Sequence, residues 1–429
     1  MNLTLDRTIQ PDLVEIGAVT IQEAKLSKLD NGIPVYYINS GFQELIKIEL
    51  LFMNESFNAS NPLLHSAANR MLSDGTSKYT AQQLADGVDY YGAFYETEEN
   101  ADYCTVNLYT LTKHLESTLP FLREMVTKAV FPESELGVYK QNNKQRLIVE
   151  NEKVGSIARR KFNNILFGDV HPYGYFTTPD DFDKLDRTVL QAYHSKHYIS
   201  DNCTIIVSGK VNDGTLSLIN KYLGDAGWKG DSKSVSALPA MNYVGDKTQF
   251  IEKEGAVQSA IRIGRRLFNR NHPDYPGMAV LNTVLGGYFG SRLMSNIRED
   301  KGYTYGIGSA LVSMKQEGYF FISTEVGADV TTPALTEIYK EIEILKNELV
   351  EEEELAMVRN YMRGTFIKGI ESAFHLADRF RSIHIHGLGY DYYQNYLEKV
   401  RTIEPEEIRL LANKYLNSSE FYELVVGRK

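Results

Sequence analysis

The chain has only two cysteines, Cys104 and Cys203, among 429 residues. They are too few for a disulfide scaffold and too far apart for a metal clip, so a reducing cytosol is the default compartment. No stretch approaches the roughly 18 consecutive apolar residues of a membrane span, and no membrane partner is expected. Basic residues are not in excess either. Against 56 Asp+Glu stand 46 Lys+Arg, a formal net charge of −10, and a pI near 5.5 argues against nucleic acid as a partner of the whole molecule. Met1 to Arg7 lack a basic region followed by an apolar block, so no secretory leader is expected. The expected location is cytoplasmic, with the periplasm left open. Nucleophile elbows of the G-x-S-x-G type are missing, and Gly286 to Arg292 lack the Lys-Ser/Thr of a phosphate loop.

What is present looks like ordinary globular protein: 43% hydrophobic and 24% charged residues, with 28 tyrosines against one tryptophan. At roughly 150 residues per domain the length favours two or three domains. The strongest internal signal is repetition. Leu190 to Lys210 and Leu410 to Lys429 each read as a helix end, a polar turn (Ser200-Asp201-Asn202; Asn417-Ser418-Ser419) and a β-branched run closed by Gly209 or Gly427. Upstream of each lies a helix feeding a glycine-marked strand, Leu84 to Gly92 and Ile297 to Gly306. Alternating strands follow (Tyr103, Thr105, Asn107, Tyr109; Tyr319, Phe321, Ser323, Glu325), then a long amphipathic helix (Leu115–Lys128; Pro333–Leu349). The same order of pieces twice predicts two homologous domains.

Boundaries of 1–229 and 241–429 are expected, joined by a linker at 230–240 whose small and polar residues mark an exposed connector. Strand meanders alternating with helix pairs predict an α+β fold, each domain a largely antiparallel sheet with helices packed on one face. Two histidine pairs invite a metal reading. His194 and His197 have i, i+3 spacing, and His384 and His386 lie close together, but neither pair has a clear third ligand, so structural histidines are expected.

Asp74-Gly75-Thr76, Tyr79-Thr80 and Leu84 to Ala93 resemble the first domain of the pitrilysin/insulinase (M16) metallopeptidases. Leu285-Gly286-Gly287, Ser291-Arg292-Leu293, Ile297-Arg298-Glu299 and Gly302-Tyr303-Thr304-Tyr305 resemble that family's second-domain motif almost residue for residue. The likeness runs over nearly the whole chain and implies the two-domain half of a clamshell, as in the family's bacterial dimeric branch. The family's chemistry uses an H-x-x-E-H helix, in which two histidines one turn apart hold Zn²⁺ and the glutamate activates the metal-bound water. Counting back from Gly75-Thr76, those positions hold Ser66, Ala67, Ala68, Asn69 and Arg70. Asn69 has no proton-accepting carboxylate, and Arg70 puts a fixed positive charge where a dication would sit. His65 is one position early, a helical rotation of about 100° away from the site. The family's distant glutamate ligand would correspond to Glu150, and a pairing of Glu150 with Arg70 is expected. No metal is expected in this chain.

The resemblance further implies that Arg298 and Tyr305 assist catalysis, gripping a substrate carbonyl and stabilising its oxyanion. It also implies an edge strand at Phe94, Tyr95, Glu96 and Thr97 that takes up extended peptide as an added strand. The expected function is therefore that of a metal-free subunit, inactive alone, that completes the site of a zinc-bearing M16-like partner in a heterodimer, with a self-dimer as the other assembly. A non-catalytic scaffold or peptide-binding protein is the alternative.

Overall fold

The computed structural model describes residues 8, 17, 19–54, 56–229 and 238–428; most of the expected linker, residues 230–237, lies outside the described residues. Two sheets organise the chain. The first contains β1 (Lys25–Lys28), β2 (Pro34–Asn39), β3 (Leu45–Met53), β4 (Phe94–Glu99), β5 (Tyr103–Leu111) and β6 (Cys203–Gly209), in the order β1-β2-β6-β3-β5-β4. The second contains β7 (Thr248–Glu252), β8 (Gln258–Leu267), β9 (Thr304–Ser313), β10 (Gly318–Gly327) and β11 (Tyr422–Gly427), in the order β7-β11-β8-β10-β9. Without β1 the two orders superimpose strand for strand. Each sheet has one parallel pair, β2 with β6 and β7 with β11, and is otherwise antiparallel.

The glycines that mark the repeat occupy equivalent points. Gly209 and Gly427 end β6 and β11 at φ of 117° and 152°. A side chain there would run into the Leu45 carbonyl oxygen in one half and the Ser259 backbone in the other. Gly92 and Gly302 precede the edge strands β4 and β9 at φ of 62° and 67°.

Helices in the first half are α1 (Leu64–Arg70), α2 (Ala81–Asp89), α3 (Leu115–Lys128), α4 (Glu133–Glu150), α5 (Val154–Phe167), α6 (Pro179–Asp183), α7 (Arg187–His197) and α8 (Asp213–Leu223). In the second they are α9 (Tyr275–Asn282), α10 (Thr331–Asn347), α11 (Glu352–Lys368), α12 (Ala373–Ile385), α13 (Asp391–Thr402) and α14 (Pro405–Tyr415). Their starts follow from local chemistry. Thr80 and Gln83 form a reciprocal capping box on α2, and Ser372 accepts from the His375 N–H to cap α12. Alternate residues of the central strands face these helices. Ile46, Ile48 and Leu50 of β3 join one core with α1, α2 and α3, and Ile261 and Ile263 of β8 join another with α9, α10 and α14.

The opposite face of each sheet is covered by a helix from the other half. α5 lays Ala158, Phe162, Ile165 and Leu166 on Ala260, Leu424 and Val426 of the second sheet. α12 lays Leu376, Ala377 and Phe380 on Ile38 and Ile206 of the first. This exchange differs in character at its two ends. The α5 contact is apolar at Ala158, Phe162, Ile165 and Leu166, whereas α12 also covers two buried charges of β3, Lys47 and Glu49. Glu49 accepts from Lys47 and from Arg381 of α12, each at 3.0 Å, and Asp378 stands 3.4 Å from Lys47 and 3.3 Å from Arg381. A further tie joins the hairpin tips, where Asp102 accepts from the Lys315 N–H at 2.9 Å and from the Tyr173 hydroxyl.

Candidate functional site

The segment expected to be a degenerate metal motif, Ser66 to Arg70, lies in α1, which packs against the edge strand β4. Asn69 is fully buried, and its amide is saturated. Nδ2 donates to the Glu98 carbonyl at 2.9 Å and the Thr105 carbonyl at 3.3 Å, and Oδ1 accepts from the Tyr198 hydroxyl at 3.0 Å. Ser66 donates to the Leu63 carbonyl at 3.1 Å. Arg70 donates from Nε to Glu99 at 2.9 Å, with half its side chain exposed.

The expected pairing of Glu150 with Arg70 is therefore corrected: Arg70 takes Glu99. Helical rise is the reason. The α4 residue that reaches α1 is Tyr139, hydrogen-bonded to Ser66 and lying in the fields of Glu99 and Arg70, its hydroxyl pushed up to about 12 mainly by burial. Glu150 lies eleven residues further along, about 16 Å at 1.5 Å per residue. There it accepts from Lys153 at 2.8 Å and from Ser156, and those hydrogen bonds hold its carboxyl below the usual range.

Zinc does not fit at α1. Its cluster offers an alcohol, a saturated amide and a guanidinium, and among the described residues no three His, Cys, Asp or Glu side chains converge as ligands. The remaining histidines have structural surroundings. His194 is buried with Nε2 2.8 Å from the Val126 carbonyl oxygen, and burial pushes it down to about 4. His197 is hydrogen-bonded to Ser56 at 3.0 Å and stacked on Tyr193. His65 lines a small cavity beside His197, likewise pushed down to about 4 by burial. His386 Nε2 lies 3.1 Å from Ser313 Oγ, and His384 packs on Tyr36 and Phe380.

The second half presents a different corner. Two π-helical turns, Thr283–Gly287 and Met294–Asp300, lead into Gly302 and β9. Arg298 lies in the second turn. Its guanidinium lies over the Phe289 ring at 4.7 Å, Nε donates to the Tyr305 carbonyl at 3.1 Å, and Nη1 is 3.6 Å from Glu299. The Tyr305 ring is 94% exposed. It stands at the mouth of a cleft of about 1070 Å³ between the α4–α5 turn and the outer face of the second sheet, lined also by Glu150, Ser156, Arg159, Arg262 and Glu325.

The repeat explains why this cleft is open. The N-caps of α5 and α12 are Lys153 and Ser372, so Gly155 and Phe374 are equivalent second helical residues. In the first half Phe374 packs edge-on against Tyr109 at 5.8 Å. In the second, Glu325 holds Tyr109's place in the register, and Gly155 lets its carboxylate approach where a Cβ would collide with it. A ring closes one half, and a glycine leaves the other open.

Glu150 and Tyr305 thus share one cleft, with Arg298 fastened to the Tyr305 backbone. Phe94 to Thr97 lie on the free edge of the first sheet, β4 pairing only with β5 among the described strands. Phe94 stacks on Tyr109 at 4.4 Å. Glu99, Tyr139, Arg159, Arg262 and Glu325 were not expected at these sites. Glu99 carried a usable signal: strand alternation puts it on the same face as Tyr95 and Thr97, toward α1.

The fold and these corners define a class: a two-sheet repeat with exchanged helices, a first-half helix with Ser66, Asn69 and Arg70 in a packed corner, and a second-half Arg-Tyr pair at an open cleft. Comparison with known proteins agrees. The family profile described as the peptidase M16 inactive domain matches residues 184–362. The uncharacterized zinc protease YmxG of Bacillus subtilis is 24% identical over 304 residues, covering 70% of this chain and 73% of that protein. A crystal structure of a peptidase M16 inactive domain from Pseudomonas fluorescens has a TM-score of 0.85 at 21% identity, covering 95% of this chain and 98% of that one. A protease structure from Helicobacter pylori has a TM-score of 0.86 at 17% identity, covering 95% and 100%. The chain is thus similar to M16-type proteins, by family profile over residues 184–362 and by fold over most of its length.

Proposed function

We propose that this chain is the metal-free subunit of a two-chain M16-type zinc peptidase. Arg298 and Tyr305 serve a partner that carries the zinc and the general base, and this chain is inactive alone. The observation that carries the reading is the Tyr305 ring, almost wholly exposed beside Arg298 at the mouth of a large polar cleft. An unpacked aromatic ring contributes little to the fold, while a phenol and a guanidinium together suit the oxyanion of a hydrated peptide carbonyl. The cleft's mixed charges, Glu150 and Glu325 against Arg159 and Arg262, suit the polar backbone of an extended peptide. The free edge of β4, with Phe94 to Thr97, offers backbone groups for an added strand.

A test mixes the purified chain with a similar-sized M16-like protein bearing H-x-x-E-H from the same organism and assays peptide cleavage. Activity in the mixture and in neither chain alone supports the reading; full activity of the partner alone removes the need for this subunit. The scaffold reading has its own support in the sealed α1–β4 corner, where Asn69 is taken up in packing. It predicts tight association with no change in turnover. No helix among the described residues is long and apolar enough to cross a membrane.

A further inference from the structure

A second cavity, of about 330 Å³, lies within the helical layer of the second half, bounded by α9, α11, α12 and α13. Two arginines line it. Arg270, in the connection from β8 to α9, is held by Ser313 Oγ, which accepts from its backbone N–H at 3.0 Å, and by Ser382. Arg379 of α12 lies over the Phe366 ring at 4.7 Å, and its Nε donates to the Gly369 carbonyl at 3.4 Å. Among the described residues neither guanidinium has an Asp or Glu within ion-pair distance.

Two guanidinium charges in one half-enclosed cavity repel each other and lose hydration, and the ring under Arg379 offsets only part of that cost. The rest of the lining adds donors rather than acceptors of charge. Tyr275 hydrogen-bonds with Arg270, and Tyr392 and Tyr396 lie in its field. Burial pushes these phenols up, so they stay protonated at neutral pH and keep O–H groups to donate. In a chain of net charge −10 this is a local site of the opposite sign. Its size also limits the guest. A 150 Å³ cavity admits benzene, so about twice that volume admits one ring with an acid group attached.

We propose that this cavity binds a small aromatic oxyanion, a single-ring carboxylate or phosphate ester, with its acid group between Arg270 and Arg379 and its ring against Phe366 and the tyrosines. Planar forks on the two arginines match the oxygens of either acid. The site is separate from the Tyr305 cleft and stands whether or not this chain assists a peptidase.

Calorimetric titration of the full chain with phenyl phosphate, benzoate and, as a neutral control, phenol tests the proposal. At least one acid binds tighter than about 1 mM and phenol does not. The acid that binds tells phosphate from carboxylate. Arg270→Gln and Arg379→Gln each weaken binding at least about tenfold. Because either variant could fail to fold, the unaltered protein is also titrated near 1 M salt, where screening within about 3 Å weakens binding markedly. Phenol binding as well as the acids, salt-independent affinity, undiminished binding by folded glutamine variants, or no binding of either acid at that threshold would each overturn the proposal.

Discussion

The two halves of the molecule use one topology for opposite ends. In the first half the corner beside the edge strand is closed: Asn69 spends its whole amide on two strand carbonyls and Tyr198, and Phe374 from the exchanged helix seals Tyr109. In the second half the equivalent helix brings Gly155 and leaves Glu325, Arg262 and Tyr305 around an open cleft. The Ser66 to Arg70 corner of the first half is thus packed, and what is accessible is gathered in the second. The exchanged helices differ in the same sense, α12 lying on an ion cluster and α5 on apolar side chains.

The sharpest way to break this contrast is to put a carboxylate into the closed corner. Asn69→Glu places a carboxylate against the Glu98 and Thr105 carbonyls in a buried site and is expected to cost about 4 kcal/mol or more. The buried acid's proton affinity rises on folding, so the loss is greatest above neutral pH and shrinks as the pH falls and the group protonates. Urea melts at two pH values check both the size and the sign. Arg381→Ala, which strips a cation from buried Glu49, is expected to cost about 3 kcal/mol, read from the same melts.

Gly155→Phe gives the second half the first half's plug. Displacing Glu325 from beside α5 costs about 1–3 kcal/mol as overpacking, and the filled cleft lowers peptide cleavage by the assembled pair while association is retained. Cleavage and binding measured side by side separate the two effects. Arg70→Ala is the smallest change. The Arg70–Glu99 pair is half exposed on the arginine side, so its loss costs less than about 1 kcal/mol and leaves the fold intact by circular dichroism.

The repeat was legible because its markers are local. Gly209 and Gly427 close buried runs where only a residue tolerant of that backbone and that crowding fits, and the helix of Leu115–Lys128 shows its period plainly. The exchange of α5 and α12 was not legible, since an amphipathic pattern says that a face is buried and not which sheet buries it. Arg70's partner failed for a related reason. Counting along the family spacing reached Glu150, but which turn of α4 meets α1 is set by the packing of the two helices, and that turn carries Tyr139. Arg298 and Tyr305 were expected from motif likeness; their joining through the Tyr305 carbonyl needed the turn geometry.

The most direct measurement is the turnover of the reconstituted pair with Arg298→Ala or Tyr305→Phe in this chain and the zinc-bearing subunit unaltered. Loss of either donor is predicted to lower kcat by about 10²–10³ with the affinity between the subunits unchanged. Turnover equal to that of the unaltered pair, at equal affinity, would contradict the account and leave the chain a scaffold.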